Sequence, residues 1–201
     1  MTAPVTFLTF DDGPNGRDTS RLLDVLAELH IRAVFCVVGE CIRAPGGAEL
    51  LRRIVAEGHV LGNHSTGFAD MGGLAPDEIR ADLLENLRII REALGEPDAV
   101  VPYFRAPNGN WGATAAVAES LGMRPLAVVN TIDDWLTQDA AVLAESLRAA
   151  MKPGELVLVH DGGGDRRGSV DAVEAVVRER LAAGWRFAVP DADDLPDVYN
   201  S

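Results

Sequence analysis

The sequence predicts an α/β fold with a parallel sheet, and three observations carry that prediction. Short β-rich apolar runs alternate with amphipathic, helix-period segments from end to end, the order expected of parallel βαβ units. The runs LAVV (126–129) and LVLV (156–159) are apolar at consecutive positions, as in strands covered on both faces. Gly58, Gly95, Gly122 and Gly184 each follow a helical segment, where glycine ends a helix in the left-handed conformation.

Taken in order, the strand candidates are 5–10, 33–38, 60–62, 100–104, 125–129, 156–159 and 186–189. Between them lie helix candidates at 19–29, 47–57, 76–94, 113–121, 140–151 and 170–183. The segment 76–94 is the clearest. Its apolar residues Ile79, Leu83, Leu87, Ile90 and Leu94 recur at three- and four-residue steps, the stripe of a helix lying on a core. The tail from Asp191 (DADDLPDVYN) is acidic and reads as a solvated terminus. With 201 residues, 47% of them hydrophobic, the chain can bury one sizeable core. It contains no linker, repeat or low-complexity tract and reads as a single domain, 1–201.

Charge narrows the function classes. Eighteen Lys and Arg against 31 Asp and Glu give a net charge of −13, the wrong sign for a nucleic-acid binder or for attraction to an anionic membrane. No stretch approaches the ~20 apolar residues of a membrane span. The opening MTAPVTFLTF has no basic segment and no long apolar run, so a cytoplasmic location is expected. Cys36 and Cys41 make no disulfide framework, and Cys36, inside an apolar run, reads as a buried hydrophobe.

Ionisable side chains gather where the strand candidates end. Asp11 and Asp12 follow the first, His64 the third, Arg105 the fourth, Asp134 the fifth and His160 the sixth. In a closed or nearly closed α/β barrel those ends meet on one face, where active sites lie. Asp11-Asp12-Gly13-Pro14 is the sharpest local signal. Two adjacent carboxylates repel, and a buried pair shifts one pKa upward unless a cation intervenes. The plainer reading is a turn, since Asp-Gly and Gly-Pro are turn formers. His64 offers a histidine to the same metal ion, whereas His59 reads as a core histidine bonded to backbone. Arg105, in YFRAPNGNW, either faces the carboxylates or caps a neighbouring helix. Trp111 and Trp135 read as packing residues or as sugar-stacking walls. His160 closes an otherwise apolar run and is a candidate general acid.

These segments, in this order, resemble the motifs of the polysaccharide deacetylase (NodB-homology) family, carbohydrate esterase family 4: TFDDGP (9–14), NHS (63–65), FRAP (104–107), DDW (133–135) and LVHD (158–161). The resemblance runs from Val5 to about Val189. It implies a single-domain distorted (β/α)7 barrel with parallel strands, and metal-dependent hydrolysis of an acetyl group, usually from an N-acetylated sugar. By the same resemblance Asp11 is the general base, Arg105 orients it, and Asp134 tunes His160 as general acid. Asp12 and His64 are metal ligands for a divalent ion, zinc first, with cobalt, nickel or manganese as alternatives. Trp135 and Leu158 line the groove for the acetyl methyl, Asn108 lends its backbone N–H to the oxyanion, and Pro107, Gly109 and Trp111 complete the substrate wall.

Two positions depart from the family pattern. The second motif usually reads His-Ser/Thr-x-x-His, but here it is His64-Ser65-Thr66-Gly67-Phe68, so a phenyl ring replaces the third protein ligand. Either Asp12, His64 and water suffice, or a side chain such as Asp70 substitutes, or the metal is lost. The third motif usually has an aromatic residue where Asn108 stands. The expected function is removal of acetyl from a small N-acetylated or oligosaccharide substrate. The rivals are an O-acetyl (xylan-type) esterase and a non-catalytic carbohydrate-binding relative; Phe68 favours the latter, and the retained Asp11, Asp12, His64, Arg105 and His160 argue against it.

Overall fold

A computed structural model describes residues 3–127 and 130–190. At its centre is β1 (Val5–Gly13), whose apolar residues are almost wholly buried. On one side follow β2 (Val34–Val37), β3 (Val60–Asn63), β4 (Tyr103–Phe104) and β5 (Arg124–Pro125); on the other lie β7 (Leu156–His160) and then β6 (Asn130–Thr131). The last strand, β8 (Arg186–Ala188), pairs with the start of β1. Every pairing is parallel.

The segment 124–131 explains the distortion of the barrel. It pairs with β4 at its beginning and with β7 at its end, so one stretch of chain joins the two edges of the sheet. Of the strand expected at 125–129, Pro125 ends β5, Leu126 and Ala127 are not in a strand, and Val128 and Val129 lie outside the described residues, as does the acidic tail from Asp191.

Helices cover the outside: α1 (Gly16–Glu28), α2 (Gly39–Arg43), α3 (Gly47–Ala56), α4 (Pro76–Leu94), α5 (Thr114–Ser120), α6 (Ala140–Ala150) and α7 (Arg167–Ala182). Helix α4 buries Ile79, Leu83, Leu87 and Ile90, the stripe read from its sequence. Each such side chain contributes about 1.5–3 kcal/mol relative to exposure. Its first turn is held by the Glu78 carboxylate, which accepts the Ala75 N–H at 2.9 Å, and it stops at Gly95, φ 73°. Gly58, Gly122 and Gly184 take the same left-handed conformation after their helices. The five-residue α2 was not expected. It is too short to show a period, and the carbonyls of Ser65 and Thr66 accept its first N–H groups. Among the described residues, no helix is long and apolar enough to cross a membrane.

Two strands differ from expectation in ways that shape the site. Strand β1 continues three residues beyond Phe10, so Asp11 and Asp12 belong to it. In β7, Val157 and Val159 are buried while Leu156, Leu158 and His160 are only partly covered. The LVLV run is thus not covered evenly on both faces; the Leu158–His160 face opens on a cavity.

Candidate active site

The carboxyl ends of the strands surround a cavity of about 600 Å³. Strict alternation along a strand would send Asp11 and Asp12 to opposite faces. A bulge between Asp11 and Gly13 and a left-handed Asp12, φ 72°, turn the chain so that both carboxylates line the cavity; aspartate tolerates that conformation better than most residues. Gly13 must lack a side chain, because a Cβ there would lie 2.2 Å from Asp161 Oδ2.

Asp11 is braced by Arg105. Nη1 of Arg105 donates to Asp11 Oδ1 at 2.5 Å and to Thr9 Oγ1 at 2.9 Å, and its Nε donates to the Leu126 carbonyl at 2.8 Å. Both partners are about 3% exposed, so the pair is desolvated and leaves Asp11 Oδ2 towards His64. The helix-capping alternative for Arg105 does not hold.

His64 shows what the centre of the site requires. Its Nδ1 lies 2.8 Å from the Arg105 carbonyl oxygen. A carbonyl only accepts, so the proton is assigned to Nδ1, and Nε2 turns towards Asp12 Oδ1 at 3.4 Å and Asp11 Oδ2 at 3.8 Å. An unprotonated Nε2 would face two carboxylates, lone pair against lone pair, a repulsion that a proton on Nε2 or a cation between the three groups relieves. Burial alone would push the imidazole pKa down, but the charges of Asp11 and Asp12 outweigh it and raise it. On Asp12, burial pulls upward, but His64 prevails and the carboxyl stays below its usual range. The donors therefore fit a divalent ion. Among the described residues, however, no group of three or more His, Cys, Asp or Glu surrounds one point, fewer than the three or four protein ligands usual for zinc. Asp70 does not fill the gap: its oxygens accept from Gly72 N–H (2.8 Å) and Asn110 Nδ2 (3.0 Å).

His160 is held at two points by one carboxylate. Asp134, wholly buried, accepts the His160 Nδ1 proton on Oδ1 (2.7 Å) and its backbone N–H on Oδ2 (2.9 Å), and Ser169 Oγ donates to Oδ2 at 2.7 Å. Burial would lower the imidazole pKa, but the Asp134 carboxylate raises it. Of the site residues read from the sequence, Asp134 alone stands behind the cavity; the other eleven line it. Trp135 meets the His160 ring edge-on at 5.5 Å, and Leu158 lies alongside. Trp111 both lines the cavity and packs edge-on against Phe104 at 5.8 Å.

A model of the polysaccharide deacetylase family matches residues 1–126. The chain is 35% identical over 189 residues to the chitooligosaccharide deacetylase of Bradyrhizobium sp. (strain ANU 289), covering 92% of this chain and 82% of that protein. The chain belongs to the polysaccharide deacetylase family. A second chitooligosaccharide deacetylase, from Sinorhizobium fredii (strain NBRC 101917 / NGR234), is 36% identical over 202 residues, 99% of this chain and 90% of that one. A family 4 acetyl xylan esterase from Clostridium thermocellum, solved in complex with a cobalt ion, superposes with a TM-score of 0.82. That structure is 27% identical and the match covers 92% of this chain and 87% of its own.

Within this member of the family the two departures from the family pattern touch each other. Asn108, in the left-handed region at φ 58°, donates from Nδ2 to the Phe68 carbonyl at 3.1 Å, and both residues line the cavity. Three cavity residues escaped the sequence, Thr131, Gly163 and Arg166. Arg166 is 6% exposed and donates to the carbonyls of Gly162 (2.6 Å) and Asp134 (2.8 Å), tying the loop after β7 to the loop after β6. His59 stays in the core as expected, its Nδ1 accepting the Ala33 N–H at 3.1 Å, and Cys36 is wholly buried and in no disulfide.

Proposed function

We propose that this chain is a metal-dependent deacetylase that hydrolyses the acetamide of an N-acetylated sugar, with a soluble mono- or oligosaccharide as its substrate. One observation carries the reading. Asp11 and His160 are register partners on adjacent strands β1 and β7, each braced by an opposite charge, Arg105 for the first and Asp134 for the second. Amide hydrolysis needs this pairing: a base to deprotonate water and an acid to protonate the leaving nitrogen. The names of the relatives, chitooligosaccharide deacetylases at 35% and 36% identity, support the substrate class.

In this reading Arg105 engages Asp11 Oδ1, and Oδ2 takes the proton from water as its oxygen bonds to the acetyl carbon. The oxyanion that results accepts the backbone N–H of Asn108. The carbon–nitrogen bond then breaks as His160, its Nδ1 proton held by Asp134, gives its Nε2 proton to the departing amine. Acetate and a free amino sugar leave. Trp135 and Leu158 enclose the acetyl methyl and keep bulk water from it. A divalent ion held by Asp12 and His64, which we take to be zinc, supplies Lewis acidity that acidifies water and polarises the carbonyl.

The similarity to an acetyl xylan esterase favours a second reading, hydrolysis of an O-acetyl ester by the same residues. Acetate release separates the two when measured with added divalent ion on N-acetylglucosamine, chitooligosaccharides, acetylated xylan and insoluble chitin. Faster release from chitooligosaccharides than from xylan or insoluble polymer is expected. Release from xylan alone replaces the first reading with the second.

A further inference from the structure

Phe68 is an unusual wall for a polar cavity. The residue is 41% exposed and lines the cavity among carboxylates, imidazoles and guanidinium groups. Exposed apolar surface of this kind is stabilised when a ligand covers it. The loop that carries it is pinned on both sides. Before Phe68, Thr66 N–H donates to Asp82 Oδ1 on α4 at 3.0 Å, and Ser65 Oγ to the Gly67 carbonyl at 2.6 Å. After it, Asp70 accepts from Asn110 Nδ2 at 3.0 Å. The Asn110 side chain lies so close over Gly72 that a Cβ there would sit 2.1 Å from Asn110 Cγ. Asn108 holds the Phe68 carbonyl itself. The ring is thus presented by a rigid tip, which reduces the ordering cost of binding.

Strand order adds the second point. Phe68 follows β3, two strands from β1 on one side, while Trp135 follows β6, two strands from β1 on the other. Exposed aromatic rings therefore reach the cavity from both flanks of the catalytic strand. A pyranose has an apolar C–H face and a polar hydroxyl rim, which matches a cavity with aromatic flanks and a charged floor.

Resting on the deacetylase reading for the substrate class, we infer that Phe68 is a stacking platform for a pyranose ring of the substrate, and that Asn110, acting through Asp70, is a positioning residue that holds the platform in place. The test compares the parent with Phe68→Ala, Phe68→Leu, Phe68→Trp, Asn110→Ala and the Phe68→Ala/Asn110→Ala double variant. KM and kcat are measured on N-acetylated chitotriose. Kd for the glucosamine trimer, which carries no acetyl group to hydrolyse, is measured by calorimetry. Phe68→Ala and Phe68→Leu should raise both KM and Kd about three- to tenfold, with the loss falling on KM more than on kcat, and Phe68→Trp should restore them. Asn110→Ala should raise KM and Kd by less and add nothing in the double variant. Unchanged KM and Kd in Phe68→Ala, or a parent with no measurable Kd, overturns the platform. An Asn110→Ala effect that adds in full overturns the positioning role. A parent that binds the trimer but releases no acetate overturns the deacetylase reading, and the Kd series still decides the platform.

Discussion

Asp134 grips His160 twice, taking the Nδ1 proton on one oxygen at 2.7 Å and the backbone N–H on the other at 2.9 Å. The first contact leaves Nε2 as the atom that carries a transferable proton; the second locks the ring to the end of β7. Asp134→Asn removes the charge that raises the imidazole pKa. The acid form of His160 is then lost at lower pH, so the alkaline limb of the kcat/KM profile should move to lower pH. His160→Ala should lower kcat by roughly 10²–10⁴. An Asp134→Asn profile that overlays the parent would show that His160 does not supply the proton.

Arg105 and Asp11 form a pair that neither can leave cheaply. Arg105→Met strands a buried carboxylate, and loss of one partner of a buried pair costs about 3–5 kcal/mol. Chemical denaturation should show that loss directly. Asp11→Asn keeps an oxygen for the Arg105 Nη1 proton but removes the base. Its kcat should fall by roughly 10²–10⁴, and stability should fall as well, because the buried guanidinium loses its counter-charge. Equal stability of Arg105→Met and the parent would mean that the pair is not desolvated as its geometry requires.

The gathering of ionisable side chains into one cavity was legible in the sequence because they stand at the ends of apolar strands. Asp11, His64, Arg105 and His160 could each be placed by reading one short segment. What could not be read are contacts between segments. Asn108 and Phe68 stand out as departures, yet only the fold joins them across forty residues. Arg166 and Arg167 are neighbours of one residue type. Arg166 turns inward onto the Gly162 and Asp134 carbonyls, while Arg167 pairs with Asp165 at the surface. No local pattern distinguishes them. Strands β4, β5 and β6, two residues each, are too short for periodicity, so the crossing of segment 124–131 from one sheet edge to the other was hidden.

Metal binding should be weak and improvable. Asp12 and His64 are two donors where zinc ordinarily has three or four. Phe68→His brings an imidazole into the same cavity and should tighten binding about tenfold or more. His64→Ala should reduce it by a similar factor. Calorimetric titration with Zn²⁺ or Co²⁺ reads both without reference to turnover. Exhaustive chelation should abolish acetate release by the parent, and full activity after chelation would remove the metal from the mechanism.

His59 gives a pH dependence of stability that is independent of the active site. Its ring lies edge-on to Phe35 at 5.0 Å and is 6% exposed. Burial, together with the positive charges of Arg32 and Arg53, pushes its pKa down to about 4, from an ordinary value near 6.5. Between those values the unfolded chain binds a proton that the folded chain refuses. Stability from His59 is therefore lost as pH falls through that window, by on the order of 3 kcal/mol in all. Asp161 works in the opposite direction. Burial lifts its carboxyl to about 7, so the folded chain binds the extra proton between roughly 4 and 7, and acidification stabilises. The two effects oppose each other in the parent, so the informative quantity is a difference. His59→Gln retains an acceptor for the Ala33 N–H and does not titrate. Denaturant unfolding of parent and variant, both stripped of metal, should show the parent losing roughly 2–3 kcal/mol relative to the variant between pH 7 and pH 4.5. A difference that stays constant across that range would mean that His59 is not held neutral in the fold.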